Sequence, residues 1–223
     1  MSGRASYRTP DFVGRPLAIA ALAAFAVLGV AAGGWLASHH AFGYFTRDPA
    51  AITRQAPYMG MLSFFGLFAW AAGATALVCG GYVASLRGAL VRRNVLFLMA
   101  AAVVYLFFDD AFQLHDYVYP TYLHAPDSVV QPAYVVVTLV AVVKGRRFLA
   151  STNFRLLATA GIFFAVSIAV DILAASERTI ALEDGAKLIG IFVLTAYCVD
   201  TALEESHRTF DTLKSSGGDP MSG

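Results

Sequence analysis

Charged side chains are scarce in this chain of 223 residues, in which Asp, Glu, Lys and Arg together make up only 14%. A soluble domain usually carries about a quarter charged residues, so the composition argues against a water-soluble fold. The formal net charge is only +1. Because nucleic-acid binding depends on many cationic contacts with phosphates, this balance offers no support for a nucleic-acid partner.

Cysteine is almost absent, and the common catalytic motifs are missing. The two cysteines, Cys79 and Cys198, lie inside apolar segments and form no CxxC pair, which argues against a disulfide framework and predicts small buried hydrophobic side chains. The chain has no GxSxG, no HExxH and no Gly-rich phosphate loop, so the familiar hydrolase and nucleotide-binding signatures are excluded. Paired ExxH elements, which are typical of di-iron helical bundles, are absent too.

Apolar residues are abundant instead, at 58% of the chain, and they come in blocks of about 20. These blocks lack the alternation of barrel strands, and in lipid only helices and closed barrels satisfy every backbone group. We therefore predict an all-α integral membrane bundle of about six transmembrane helices. The predicted helices lie near residues 16–37, 57–86, 94–119, 128–143, 154–176 and 180–203.

The two ends of the chain need separate interpretation. The cations Arg4, Arg8 and Arg15 before the first apolar block also resemble a secretory signal, but the block is long and favours a retained helix. Residues 1–205 are thus predicted to form one transmembrane domain, and the polar segment 206–223 a flexible cytoplasmic tail.

The distribution of cations predicts the orientation in the membrane. Alternation of the six helices places twelve Lys and Arg residues on one side and three on the other, and the richer side is expected to be cytoplasmic. The twelve are Arg4, Arg8, Arg15, Arg87, Arg92, Arg93, Lys144, Arg146, Arg147, Arg155, Arg208 and Lys214, against Arg47, Arg54 and Arg178. Both termini are therefore predicted to be cytoplasmic, in the inner (plasma) membrane of a bacterium.

Ionisable residues collect at the opposite, non-cytoplasmic ends of three predicted helices. Helix three ends in LFFDDAFQLHDYVYP, helix five carries an aspartate in AVSIAVDILAAS, and helix six begins ALEDGAKLIG. A charge in hydrocarbon costs about 2.5–3.5 kcal/mol, and neighbouring carboxylates must share a proton or a cation. The candidate ligands for a divalent metal are Asp109, Asp110, His115, Asp116, Asp171, Glu183 and Asp184.

The metal prediction rests on this excess of negative charge, because histidine with carboxylate suits zinc, iron or manganese. Supporting polar residues are Tyr105, Gln113, Gln131, Tyr134 and Lys187. On helix six, Glu183 and Lys187 have the i,i+4 spacing of a favourable ion pair. Two plainer interpretations stay open: the helix-three acids are interfacial charges, and Glu183 and Asp184 interact with the dipole of a first helical turn.

Helical geometry separates the histidine from its neighbours on helix three. At about 100° per residue, Asp109 and Asp116 lie about 20° apart, with Tyr105 and Gln113 on the same stripe. His115 lies about 120° away from that stripe. A π-bulge or an early end of the helix would be needed to bring its ring to the two carboxylates.

The segments DDAFQLHD and EDGAKLIG together resemble uncharacterised bacterial multi-helix membrane proteins. Those proteins carry a D-[DE]-x4-H-[DE] element on one helix and an acidic pair before a later apolar helix. This chain has aspartate at Asp110 and Asp116, where the pattern is associated with glutamate. The resemblance groups these residues into one site and implies no established activity.

Three classes of function follow from the sequence. The first is a metal-dependent membrane hydrolase or oxidoreductase that acts on a lipid or another apolar substrate, with carboxylates as metal ligands and general base. The second is an accessory or scaffold subunit, in which the charges pair with one another or with a protein partner in the membrane. The third is a proton- or cation-coupled transporter, although no inverted repeat is apparent. Membrane lipids are expected partners in every case.

Overall fold

The structure is a computed structural model that describes residues 14–38, 40–41, 43–47, 49–56, 58–125, 127–174 and 177–216. Among these residues every regular element is helical, as predicted. The chain divides into two units, Met1–Met59 and Gly60–Gly223. The first unit contains α1 (Gly14–Ala37), α2 (Gly43–Thr46) and α3 (Pro49–Thr53).

The second unit contains the long helices on which the candidate site lies. Its elements are α4 (Met61–Leu86), α5 (Leu90–Phe112), a π-helical turn (Leu114–Val118), α6 (Tyr119–Leu123), α7 (Asp127–Leu149), α8 (Phe154–Ala174) and α9 (Glu177–Ser216). Helix α4 packs against both α5 and α9, and α9 also packs against α8.

Five helices, α1, α4, α5, α8 and α9, are long and apolar enough to cross a membrane. The prediction of an all-helical chain is therefore confirmed for the described residues, and the five apolar helices support a multi-pass membrane protein. The segment predicted as the fourth span forms helix α7. Over its described residues, α7 is less apolar than these five helices. Lys144, Arg146 and Arg147 fall within its last two turns and lower its hydropathy.

Several helix boundaries differ from the predicted ones for local reasons. Predicted helix three was continuous to residue 119, whereas α5 ends at Phe112 because Gln113 adopts a left-handed conformation, with φ 51° and ψ 47°. Predicted helix six ended near residue 203, whereas α9 continues to Ser216. Its additional turns include Glu205, whose carboxylate is held by ion pairs. Residues 217–223 of the predicted tail lie outside the described residues.

Glycines on α4 allow a close approach to α9. Gly66, Gly73 and Gly80 recur every seven residues on one face of α4. A Cβ added to Gly80 would lie 3.1 Å from the Cα of Ala202 on α9. Small residues at such contacts let helix backbones pack closely in a membrane, where the hydrophobic effect does not drive association.

The Gly80→Val substitution is therefore expected to destabilise the protein by about 1–3 kcal/mol, because the contacting atom belongs to backbone that cannot move aside cheaply. Thermal unfolding in detergent measures the effect. Gly161→Val on α8 is the matched control, since a Cβ there would lie more than 4 Å from every described atom beyond the adjacent turns of its own helix. Equal destabilisation by both substitutions would show that this contact between α4 and α9 is not tight.

Candidate functional site

Three residues of the DDAFQLHD segment form a continuous chain of contacts at the end of α5. The Nδ1 atom of His115 lies 2.7 Å from Asp109 Oδ2, and its Nε2 atom lies 3.0 Å from Asp116 Oδ1. Asp109 is buried, at 5% exposed, whereas the Asp116 side chain is 57% exposed. The imidazole ring thus bridges a buried carboxylate and a solvent-facing one.

The break after α5 produces this arrangement. Because Gln113 adopts the left-handed conformation, the chain turns and continues as the π-helical turn Leu114–Val118. The backbone N–H of His115 then donates to Asp109 Oδ1 at 3.2 Å. In a continuous α-helix the His115 ring would point away from Asp109. The early end of α5 and the π-helical turn together bring the ring to Asp109. Gln113 itself is exposed, and no hydrogen bond among the described residues joins its side chain to Asp109 or Asp116.

Three tyrosines extend the hydrogen bonding from Asp109. The Tyr134 hydroxyl on α7 donates to Asp109 Oδ1 at 2.9 Å. Tyr105 shares hydrogen bonds with Tyr134 at 2.6 Å and with Tyr119 at 2.7 Å. Tyr105 and Tyr134 were predicted as supporting residues, whereas Tyr119 was not. The side chain of Gln131 lies outside the described residues.

A second ion pair lies beside this chain of contacts. Lys187 on α9 donates to Asp110 Oδ1 at 2.6 Å, and the Asp110 side chain is largely buried. The structure thus pairs Lys187 with Asp110 rather than with Glu183, the partner favoured by the i,i+4 spacing. This contact joins α9 to α5 across the end of the unit.

The remaining predicted ligands stay near the surface of the same end. Glu183 is partly exposed and Asp184 is exposed, and Asp171 is half-buried on α8. Glu183 lies within electrostatic range of Asp171, Asp184 and Asp116. These carboxylates therefore influence one another, but no hydrogen bond among the described residues joins Glu183 or Asp184 to the pair of Asp109 and His115.

Hydrogen bonding determines the charge of His115. The contacts with Asp109 and then Asp116 raise the pKa of His115 to about 10, although burial opposes this shift. The same contact lowers the pKa of Asp116 below its ordinary value. An imidazolium at His115 therefore supplies a positive charge between the two carboxylates at neutral pH.

No three His, Cys, Asp or Glu side chains are arranged to hold a metal ion within the described parts of the chain. The contacts explain this result. The ring of His115 lies between Asp109 and Asp116, with one carboxylate at each nitrogen, so the potential ligand atoms face one another and not a common centre. The predicted zinc, iron or manganese site receives no support from this geometry.

A second polar cluster, which was not predicted from the sequence, lies at the opposite end of the unit. Glu205 is completely buried and forms ion pairs with Arg87 and Arg92. Arg92 also donates to Ser151 Oγ at 2.9 Å. We call this end the arginine end, and the end that holds Asp109 and His115 the acidic end.

The burial of Glu205 has a signal in the sequence, although a weak one. The interior residues of α9 recur in steps of three or four, through Ile191, Leu194, Cys198 and Thr201. Continuing that stripe by four residues reaches Glu205. A glutamate on an apolar stripe requires a partner, and the arginines that flank the loop between α4 and α5 are the available cations.

The charged residues that form ion pairs at the two ends are equally far apart along α5 and along α9. Eighteen residues separate Arg92 from Asp110, and eighteen separate Lys187 from Glu205. At about 1.5 Å per residue each interval is about 27 Å, close to the thickness of the hydrocarbon core. Arg92 binds Glu205 at the arginine end and Lys187 binds Asp110 at the acidic end. The charges thus lie at the two edges of an apolar layer.

The raised pKa of His115 predicts a loss of stability in alkaline solution. Because the pKa of His115 is higher in the folded protein than in the unfolded chain, the protonated ring stabilises the fold fully at pH values below about 6.5. This stabilisation is lost as the pH rises through about 10. Above that pH one ring nitrogen presents a lone pair to a carboxylate. Melting temperatures of the wild type should fall over this interval. His115→Gln should lack this fall, and parallel curves for the two proteins would contradict the assignment.

A family model described as a domain of unknown function, DUF8692, matches residues 17–201. No curated protein and no solved structure matches the chain. The matched region includes every predicted site residue but ends before Glu205. The match agrees with the resemblance to uncharacterised proteins, while the D-[DE]-x4-H-[DE] element itself stays a prediction. The chain belongs to the DUF8692 family, whose description assigns no function.

Proposed function

We propose that the chain is an accessory subunit of a membrane complex, braced internally by its own ion pairs and presenting an acidic surface to a basic partner. The observation that carries the proposal is the pairing of Asp109, Asp110 and Asp116 with cations of the same chain. Carboxylates that are already paired in this way hold helices together. They are not arranged as the open ligand set that a metal-dependent enzyme would need.

The contacts at the acidic end join α5, the π-helical turn, α7 and α9 to one another. Asp109 binds the π-helical turn through His115 and binds α7 through Tyr134. Asp110 binds α9 through Lys187. Buried and partly buried ion pairs of this kind fix the register of helices when all their partners are present. A rigid end is suited to presenting a surface of constant shape.

The exposed part of the acidic end remains negative. Five carboxylates lie at this end, on Asp109, Asp110, Asp116, Glu183 and Asp184. Among the described side chains, the cations that pair with them are His115 and Lys187. Of the five, Asp116 and Asp184 are the most exposed. A surface of one sign steers a partner of the opposite sign and selects against others.

Two contacts favour α7 as a sixth membrane-crossing helix. Tyr134 binds Asp109 at the acidic end, and Ser151, just after α7, binds Arg92 at the arginine end. Seventeen residues separate Tyr134 from Ser151, and seventeen separate Arg92 from Asp109 on α5. Helix α7 therefore runs antiparallel to α5 over about 25 Å. With six spans, the cation distribution favours cytoplasmic termini in a bacterial inner membrane, with the acidic end outside.

The experiment is extraction of the tagged full-length chain from its native membrane in mild detergent, followed by size-exclusion chromatography with mass measurement. We expect a stoichiometric partner. The double substitution Glu183→Lys with Asp184→Lys should weaken the complex at least about tenfold, because it reverses the surface charge. Asp211→Lys is the matched control, since Asp211 is exposed on α9 near the arginine end.

Three results would overturn the proposal. A monomer in native membranes would leave no partner to bind. Stoichiometric zinc, iron or manganese that is lost in Asp109→Ala or Glu183→Ala would favour the metal-dependent enzyme. Proton- or cation-driven flux in liposomes would favour the transporter, for which a polar path must cross the apolar interior around Leu77, Leu96 and Ile191.

A further inference from the structure

We infer that the arginine end binds a phosphate group, either the phosphodiester of an anionic phospholipid or free phosphate. The binding residues are Arg87, Arg92 and Arg208, which we call the arginine cluster, together with Ser151. This site lies at the opposite end of the unit from the acidic surface, so the inference is independent of the proposed function.

The arginine cluster is held in place by contacts from three directions. Arg87 and Arg92 both bind the buried Glu205. Arg92 Nη1 donates to Ser151 Oγ at 2.9 Å, and Arg208 Nη2 lies 3.4 Å from the Ser151 carbonyl oxygen. The Arg92 guanidinium also lies 5.0 Å from the centre of the Phe148 ring, which supports it on one face. Because these side chains are already held in place, binding a ligand here would cost little conformational entropy.

The charge of the arginine cluster is not balanced. Its three guanidinium groups face two carboxylates, Glu205 and the Glu204 partner of Arg208. One positive charge is therefore in excess. Arg92 Nη2 lies within ion-pair range of Glu205 and is already compensated. An anion with a single negative charge would restore neutrality.

Two donors of the arginine cluster have no acceptor. Arg87 Nε and Arg208 Nε are buried atoms without a hydrogen-bond partner among the described residues. A buried N–H without an acceptor is costly, and the planar guanidinium matches the tetrahedral oxygens of phosphate better than any other side chain. These donors indicate an oxygen-rich anion, for which a phosphate group is the best match.

The position of the site favours a lipid as the source of the phosphate. The arginine cluster lies at one edge of the apolar layer, beside the loops that join α4 to α5 and α7 to α8. Phospholipid phosphates lie at the same depth in a bilayer. Cations near an anionic membrane surface are attracted to it, and a pocket of ordered arginines adds specificity to that attraction.

The test uses the full-length chain in nanodiscs of neutral phosphatidylcholine, with phosphatidylglycerol or inorganic phosphate added separately. Native mass spectrometry counts bound lipid, and thermal unfolding reports stabilisation. Arg208→Gln should weaken phosphatidylglycerol binding about tenfold. It should melt like the wild type in neutral lipid, because the partner of Arg208 is the partly exposed Glu204. Arg93→Gln is the control, since among the described residues the Arg93 side chain bonds to the adjacent Asn94 and not to Glu204, Glu205 or Ser151.

The outcomes separate the two phosphate sources. Stabilisation by phosphatidylglycerol that Arg208→Gln reduces and Arg93→Gln preserves supports a lipid site. Equal stabilisation by inorganic phosphate, lost in the same variant, supports a site for free phosphate. The inference is overturned if Arg208→Gln binds phosphatidylglycerol as the wild type does. It is also overturned if Arg93→Gln weakens binding equally, since the attraction would then be nonspecific.

Discussion

Replacing Glu205 with glutamine is expected to lower the free energy of unfolding by about 3–5 kcal/mol, because removing one partner of a buried ion pair leaves uncompensated charge behind. The Glu205 side chain is 0% exposed and has two cationic partners, Arg87 and Arg92, which are themselves largely buried. Glutamine retains the shape of the side chain but not its charge. Both guanidinium groups would then face a neutral amide.

Thermal unfolding of the purified protein in one detergent at fixed pH measures this effect. Glu204→Gln is a closely matched control, since Glu204 is the adjacent residue and pairs with Arg208 at i,i+4 on a partly exposed surface. Such a pair contributes at most about 1 kcal/mol. Similar losses for the two variants would mean that the Glu205 ion pairs do not hold α9 to the loop between α4 and α5.

The Asp109→Asn substitution is expected to cost about 2–3 kcal/mol, because Asp109 accepts charge-assisted hydrogen bonds that an amide cannot replace. The carboxylate accepts from the His115 backbone, the His115 ring and the Tyr134 hydroxyl. Losing the charge should also bring the pKa of His115 down from about 10 toward its ordinary value. The π-helical turn should exchange its backbone amide protons faster than it does in the wild type.

Hydrogen–deuterium exchange of residues 113–119 and thermal unfolding together measure this second effect. Asp116→Asn serves as the control, since that side chain is 57% exposed and its ion pair in the described part of the chain is with one ring nitrogen of His115. It should cost less stability and leave the turn protected. Rapid exchange in Asp116→Asn combined with slow exchange in Asp109→Asn would contradict the central role given to Asp109.

The helical membrane fold could be predicted from the sequence because it depends on simple quantities. Apolar blocks of the right length indicate spanning helices, and each of the long helices α4, α5, α7, α8 and α9 begins or ends within a few residues of its predicted limits, whereas the short α6 was not predicted as a separate helix. The end of α9 could not be placed, because Glu205 resembles the start of a polar tail. Only the three-dimensional packing brings Arg87 and Arg92 to it.

The candidate site was predictable in composition but not in bonding. Periodicity placed Asp109 and Asp116 on one stripe and excluded His115, because it assumed a continuous helix. The left-handed Gln113 changes that geometry, and residue patterns rarely reveal a single φ reversal at a non-glycine residue. The clustered carboxylates were predicted to need a cation to balance them, and the structure places His115 and Lys187 among them.

The measurement that tests this account most directly is the ¹⁵N chemical shift of the His115 ring in detergent or nanodiscs, assigned by comparison with His115→Gln. At about pH 8 an ordinary imidazole is neutral. With its pKa raised to about 10 by Asp109 and Asp116, the His115 ring should have protons on both nitrogens. A neutral or metal-coordinated ring at that pH would contradict the claim that the imidazolium itself balances the two carboxylates.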